Sequence, residues 1–251
     1  MTRRWTGATL ASEMRDPSRP ATPARTDLRL PLRWASGIRH RECADFDYAR
    51  LRWYGEISTT YRLTADYVLP SILRPLARLT VEGLEHVPLA GPVILAANHP
   101  DNLDGYLLLH LVPRMVHIAA RADAFGTGCL CAFWRRLGAF PADFWGMRHA
   151  LRLLAGGGAV ALFPQGTISN QLHTTSGAAG LLALHSGVPV VPIAISGTDA
   201  VHLSCMFGER ASVHVRFGAP LTFTRGRGPP CSVATANAIL HQIGGLLPET
   251  R

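Results

Sequence analysis

Short, almost wholly apolar runs alternate with helical stretches from residue 81 onward, and this alternation constrains the 251-residue chain more than any other feature. Val93–Ala97, Val116–Ala120, Ala159–Phe163 and Val190–Ile195 carry scarcely a polar residue. A strand that is apolar on both sides must be covered on both sides, which is the pattern of a parallel or mixed sheet between helices. Ala211–Phe217 alternates instead, so one of its sides is expected to face water. Helical patterns fall between the strands: Asp101–Leu111, Leu130–Leu137, Trp145–Leu154, Ser176–His185 and Ser232–Leu247. Gly156-Gly157-Gly158 stops the third of these. A strand of one to three residues is expected around Ala139 and Phe140. The sequence shows no internal repeat. The fold class it predicts is α/β, a mixed and largely parallel sheet flanked by helices. Pro192, inside a buried strand, needs a structural reason.

The pattern differs upstream. Residues 1–45 are rich in Arg, Pro, Thr and Ser and read as a basic, Pro-containing arm whose Trp5 and Trp34 suit a membrane interface. Residues 46–80 read as an amphipathic helical element in two pieces, broken at Pro70, the second running from Ser71 to Leu79. It mixes Phe46, Trp53, Tyr61 and Tyr67 with Arg50, Arg52, Arg62, Arg74 and Arg78. Two uses of such helices stay open: covering the core of the following domain, or lying on a bilayer with arginines toward phosphates. Residues 81–251 then read as a single α/β domain, the one expected to carry any chemistry.

Charge narrows the partners. The net charge is +8, every basic side chain is an arginine, and residues 1–80 hold 14 Arg against 8 acids. A basic front end favours an anionic surface. No metal-ligand spacing, helix-turn-helix pattern or aromatic–basic sheet motif supports nucleic acid as that surface. No run of about 18 apolar residues predicts a membrane-spanning helix, and the first residues lack a signal-like apolar core. The expected location is cytoplasmic, with peripheral contact to the inner face of the cell membrane. The five cysteines are odd in number, and Cys129 and Cys131 lack a second pair, so neither a disulfide framework nor a metal site is expected.

The chemistry is expected at strand ends, where ligands gather in open α/β sheets. Asn98-His99-Pro100-Asp101-Asn102-Leu103-Asp104 follows the first apolar strand. If the chain folds back, the Asp104 carboxylate can fix one ring nitrogen of His99 and leave the other to take a proton. From these residues alone, a turn histidine beside a capping aspartate is an equal reading. Phe163-Pro164-Gln165-Gly166-Thr167-Ile168-Ser169 follows another strand and describes a rigid turn whose N–H groups could hold an oxyanion. His173 lies close behind it. Gly138, Phe140 and Asp143 mark a third segment, and Val188 to Ile193 a fourth. The G-x-S-x-G elbow of a nucleophilic hydrolase is absent.

Taken together and in this order, the four segments resemble those of the glycerolipid acyltransferases, the lysophosphatidic-acid and glycerol-3-phosphate acyltransferase family. Asn98, His99 and Asp104 match its Asn-His-x4-Asp block. Gly138, Phe140 and Asp143 match the second block. Phe163, Pro164, Gly166, Thr167 and Ser169 match Phe-Pro-Glu-Gly-Thr-Arg-Ser, and Val188 to Ile193 matches the fourth. The resemblance implies transfer of a fatty acyl group from an acyl-CoA or acyl carrier protein thioester to an alcohol. It makes His99 the general base and Asp104 its orienting partner, with no acyl-enzyme and no permanently bound cofactor or metal. Backbone N–H groups near Gly166 and Thr167 become candidates for the oxyanion site.

Three positions depart from that family. Gln165 stands for its glutamate, Ile168 for an arginine, and Phe144 for an arginine after the second block. The resemblance ties those arginines to the acceptor's phosphate, so their loss makes the wall apolar and argues against lysophosphatidic acid as acceptor. The sequence therefore favours a hydroxyl or amine acceptor without that phosphate, on a lipid or small molecule. A relocated phosphate site at Arg148, with Arg121, Arg135 or Arg136 nearby, is the alternative. A non-catalytic lipid-binding or scaffolding protein of the same fold is a third.

Overall fold

The computed structural model describes residues 59–125, 129–172, 177–202, 208–224 and 229–248. The arm at 1–45, the stretch 46–58 and His173 lie outside the described residues. Seven strands form one sheet: β1 Ala77–Glu82, β2 Val93–Ala97, β3 Val116–Ala120, β4 Phe140–Pro141, β5 Ala159–Leu162, β6 Val190–Ser196 and β7 Ala211–Phe217. Their spatial order is β1-β7-β6-β2-β5-β3-β4, with every pair parallel except β6–β7. The helices are α1 Thr59–Leu63, α2 Leu69–Leu76, α3 Leu103–Leu111, α4 Cys129–Arg136, α5 Phe144–Ala155, α6 Ala178–Ser186 and α7 Pro229–Leu246.

β2 lies at the centre and all five of its residues are fully buried. Alternate side chains enter different cores. Leu95 joins Leu107, Ile193 and Val213 on the face covered by α1, α2 and α3. Ile94 and Ala96 join Leu151, Leu182 and Ile239 on the face covered by α5, α6 and α7. This two-sided burial is the physical reason the central runs lack polar residues. β7 is covered on one face only, so Ser212 and His214 are exposed between buried neighbours.

Pro192 sits where the ladder needs no donor from it. Its carbonyl accepts from Gly218 N–H at 2.8 Å. The regular β6–β7 pairing starts only at Ile193 opposite Phe217, and the next bridge back is Val190 to Leu221. Two residues on β6 therefore face three on the partner chain, a bulge that accommodates a missing N–H.

The segment before β1 departs from expectation. α1 and α2 are joined without a break by a π turn, Thr64–Val68, so Pro70 falls in the first turn of α2 and does not interrupt the run. The helix ends at Leu76, not Leu79. Pro75 withdraws a donor in its last turn, Ala77 is extended (φ −138°), and Ala77–Glu82 pairs in parallel with β7. The sheet thus begins inside the stretch 46–80 that the sequence reading assigned to helix.

The helical stretch Thr59–Leu76 is apolar on two sides. Tyr61, Ala65, Leu69 and Leu73 join the core. Leu63, Tyr67, Val68 and Ile72 face outward and are at least 48% exposed. Tyr61 also anchors the stretch: its hydroxyl accepts from Val116 N–H and donates to Arg114 O, and burial raises its pKa to about 12.

Two histidines in the core stay neutral. Burial lowers His117 and His149 each to about 4, with their mutual proximity adding to the effect on His149. The unfolded chain binds these protons near pH 6.5, so stability falls as pH drops from 6.5 toward 4 and levels off below. Asp104, whose pKa is raised, acts in the opposite sense. Urea unfolding of the parent and of His149→Leu at pH 7 and pH 4.5 isolates the effect, and the variant should lose less of its stability on acidification than the parent.

Candidate active site

β2 ends at Ala97, and the chain turns there through Asn98. Its side chain is buried and makes a two-way bond to β6: Nδ2 donates to Ile195 O at 2.8 Å and Oδ1 accepts from Ile195 N–H at 2.7 Å. Asn98 thus continues the β2–β6 ladder with its side chain and fixes where His99 leaves the sheet. Its contacts assign it a structural role.

His99 is 18% exposed, and Asp104, in the first turn of α3, is fully buried. His99 Nδ1 lies 2.8 Å from Asp104 Oδ2. The same Oδ2 accepts from Asp101 N–H at 2.8 Å, and Oδ1 accepts from the Thr198 hydroxyl at 2.8 Å. Three donors converge on one carboxylate, which suits its ionised form. Burial nonetheless raises its pKa, and the hydrogen bonds from His99, Asp101 and Thr198 oppose that rise. A carboxylate at Nδ1 requires N–H there, so the neutral ring presents Nε2 as a proton acceptor. The two aspartates bond reciprocally across the helix start: Asp101 Oδ1 accepts from Leu103 N–H at 2.9 Å, while Asp104 accepts from Asp101 N–H as well as from the imidazole.

The loop after β5 buttresses the histidine. Phe163 stacks on the His99 ring at 4.0 Å between centroids and 16° between planes. Phe163-Pro164-Gln165-Gly166 closes a β-turn through Gly166 N–H to Phe163 O at 3.0 Å, with Pro and Gly at their favoured second and fourth positions. That bond commits the Gly166 N–H and removes it from the oxyanion candidates. Thr167 N–H makes no such bond among the described residues. Gln165 is fully buried. Its Oε1 accepts from His99 N–H at 2.6 Å, and its Nε2 donates to Ser169 O and Gln171 O, both at 2.7 Å. Ser169 N–H returns a bond to His99 O at 2.8 Å. The amide therefore ties the histidine backbone to the loop, and two of its contacts need a donor that a glutamate carboxylate lacks.

The second block lies apart from this cluster. Gly138 (φ +79°) is a turn at which a Cβ would press on Met115 and His117. Phe140 is a buried β4 residue, edge-on to His149. Asp143 is buried and caps α5 by accepting from Gly146 N–H at 2.7 Å. All three make structural contacts at the β4–α5 corner. Phe144, half-buried, packs edge-on to Trp145, and the Arg148 guanidinium lies 5.6 Å from the Trp145 ring centroid. The Arg148 Nε is buried without a hydrogen-bond partner among the described residues. Ile168 is 44% exposed.

Thr198 is the site residue that sequence reasoning missed. It follows β6, so the strand-end rule pointed to it, but a lone threonine carries no motif. Gly197 makes its placement feasible: its φ is +85°, and a Cβ would collide with the Ser212 carbonyl.

The sheet, covered on both faces, thus brings a buried carboxylate, an oriented imidazole and a clamped turn together at its strand ends, an arrangement whose chemistry suits proton transfer. Residues 78–196, the stretch that holds His99, Asp104 and Gln165, match the Acyltransferase family model. The chain is 28% identical over 137 residues to a chloroplastic 1-acyl-sn-glycerol-3-phosphate acyltransferase of Arabidopsis thaliana. That match takes in 51% of this chain and spans 38% of the relative's length. The crystal structure of the 1-acyl-sn-glycerophosphate acyltransferase of Thermotoga maritima shares the fold, with a TM-score of 0.55 at 21% identity over 74% of this chain and 83% of that one.

Gln165→Glu places carboxylate oxygens against the Ser169 and Gln171 carbonyls. The expected cost is about 1–3 kcal/mol, mostly from the buried carboxylate left without its donor contacts. Urea denaturation should show a lower midpoint for Gln165→Glu than for the parent at pH 7, with part of the loss recovered as the pH is lowered and the carboxyl gains a proton.

Proposed function

We propose that the protein moves a fatty acyl group from an acyl-CoA or acyl carrier protein thioester to a hydroxyl or amine acceptor. The observation that carries this reading is the 2.8 Å contact between His99 Nδ1 and a fully buried Asp104, with the ring itself partly open to solvent. His99 Nε2 accepts the acceptor's proton as its oxygen or nitrogen attacks the thioester carbonyl. The C–S bond then breaks, and the thiolate recovers the proton from the imidazolium. Asp104 orients the ring and stabilises its charged form. Thr167 N–H, next to the Phe163–Gly166 turn, is the remaining candidate donor for the oxyanion among those the sequence suggested.

The acceptor is proposed to lack the phosphate of lysophosphatidic acid. Ile168, 44% exposed, stands where the resembling family carries an arginine, and Phe144 and Trp145 extend the apolar character across the strand ends. One observation favours the second reading, a relocated phosphate site: the unpartnered Nε of Arg148. The outward stripe Leu63, Tyr67, Val68 and Ile72, flanked by Arg62 and Arg74, supports peripheral contact with an anionic bilayer as a further part of the proposal. No helix among the described residues is long and apolar enough to cross a membrane.

His99→Ala should cut thioester turnover about 10²–10⁴-fold while leaving the thermal midpoint near that of the parent. Unchanged turnover would mean that His99 is not the base and would overturn this route; a parent protein with no turnover would leave the fold as a non-catalytic lipid-binding or scaffolding protein. With one acyl thioester, neutral alcohols and amines should be acylated at higher kcat/KM than lysophosphatidic acid. A preference for lysophosphatidic acid that Arg148→Ala abolishes would establish the second reading.

A further inference from the structure

Because β6 and β7 run antiparallel, the starts of β1 and β7 lie at the same end of the sheet as the ends of β2 and β6. On that flank, away from the Ile168 loop, α2 packs beside α3 and leaves a cavity of about 220 Å³. Leu73, Leu103, Leu107 and Val213 form its interior. Apolar cavities of roughly 150 Å³ already take up small hydrocarbons.

The mouth of the cavity is cationic. Arg210 is fixed there by donating to the carbonyls of Arg74 and Ala77 at the end of α2. The Arg74 guanidinium is exposed and has no ion-pair partner among the described residues. No carboxylate lines the cavity. A hydrocarbon interior beneath two guanidiniums is complementary to a tail that ends in an anion.

We infer that this cavity binds a single-chain amphiphile, its tail among the leucines and its carboxylate or phosphate head on Arg74 and Arg210. The site is separate from the open side of the imidazole. Its lining contains none of His99, Phe163 or Gln165, and the fully buried Asp104 and Thr198 stand between. Thr198, fully buried behind the cavity wall, also donates to Asp104 Oδ1, so the cavity adjoins the residue that holds the dyad's carboxylate. The inference goes beyond the proposed acyl transfer and does not require it, because its test reads binding alone.

Equilibrium dialysis of the full chain with decanoate, decyl phosphate and decanol, each below its micelle concentration, tests it. Decanoate or decyl phosphate should bind with one equivalent and about tenfold more tightly than decanol, and the better of the two distinguishes a fatty-acid from a lysophospholipid head. Arg74→Gln should weaken the anions about tenfold and leave decanol unchanged. Leu79→Trp, which fills the mouth from β1, should weaken all three. His99→Ala should alter none. Arg74 is exposed at a helix end, so Arg74→Gln should retain the parent's thermal midpoint and keeps the test valid even if Leu79→Trp fails to fold. Equal binding of decanol and decanoate, insensitivity to Arg74→Gln, or loss of binding in His99→Ala would overturn the inference.

Discussion

A carboxylate with no exposed surface is the constraint around which the site is built. Burying Asp104 disfavours its charge, and the protein answers with three donors, from His99, Asp101 and Thr198. Each donor comes from a different position in the chain. Asp101 supplies a backbone N–H ahead of α3, Thr198 comes from beyond β6, and His99 comes from the end of β2. Satisfying one buried charge therefore fixes the meeting of two neighbouring strands and a helix start. The imidazole's orientation follows as a consequence, with Phe163 stacked on one of its faces and Gln165 holding its backbone.

The Gln165 amide gives this arrangement its individual character. A carboxylate at this position could accept from His99 N–H but could not donate to Ser169 O and Gln171 O. With Ile168 exposed beside it, the loop has no guanidinium that would require an acid partner. The amide is thus consistent with the neighbouring apolar residue, and together they describe a loop held by neutral hydrogen bonds. The same consistency extends to Phe144 and Trp145 on the neighbouring corner. The β5–β3–β4 side of the strand ends carries Phe144 and Trp145 with Arg148 against the Trp145 ring, while the β1–β7 side carries Arg74 and Arg210.

Much of this was legible in the sequence because burial leaves a strong mark. Val93–Ala97 and Val116–Ala120 read as strands to the residue, since only a strand covered on both sides needs such runs. His99 and Asp104 were legible as a pair because the spacing folds back across a turn. β1 was not legible. Arg78, Thr80 and Glu82 are exposed on a sheet edge, so Ala77–Glu82 lacks the apolar mark and reads on from the helix before it. The π turn escaped for a related reason: it preserves the spacing of buried residues while shifting the backbone past Pro70. The structural part of Gly138, Phe140 and Asp143 was not legible, because motif residues and corner-forming residues cannot be distinguished by type; the cap on Gly146 and the burial of Phe140 appear only in the fold. Thr198 was hidden because its importance depends on a partner 94 residues away.

The central claim is that Asp104 fixes the tautomer of His99 and so makes Nε2 the proton acceptor. Nitrogen-15 NMR of the full chain, labelled at histidine and assigned through His99→Ala, reads this directly at a pH where the ring is neutral. The account predicts a protonated Nδ1 with a strongly hydrogen-bonded, downfield proton, a bare Nε2, and loss of that proton signal in Asp104→Ala. A His99 ring protonated at Nε2, or one unaffected by removal of the carboxylate, would contradict it.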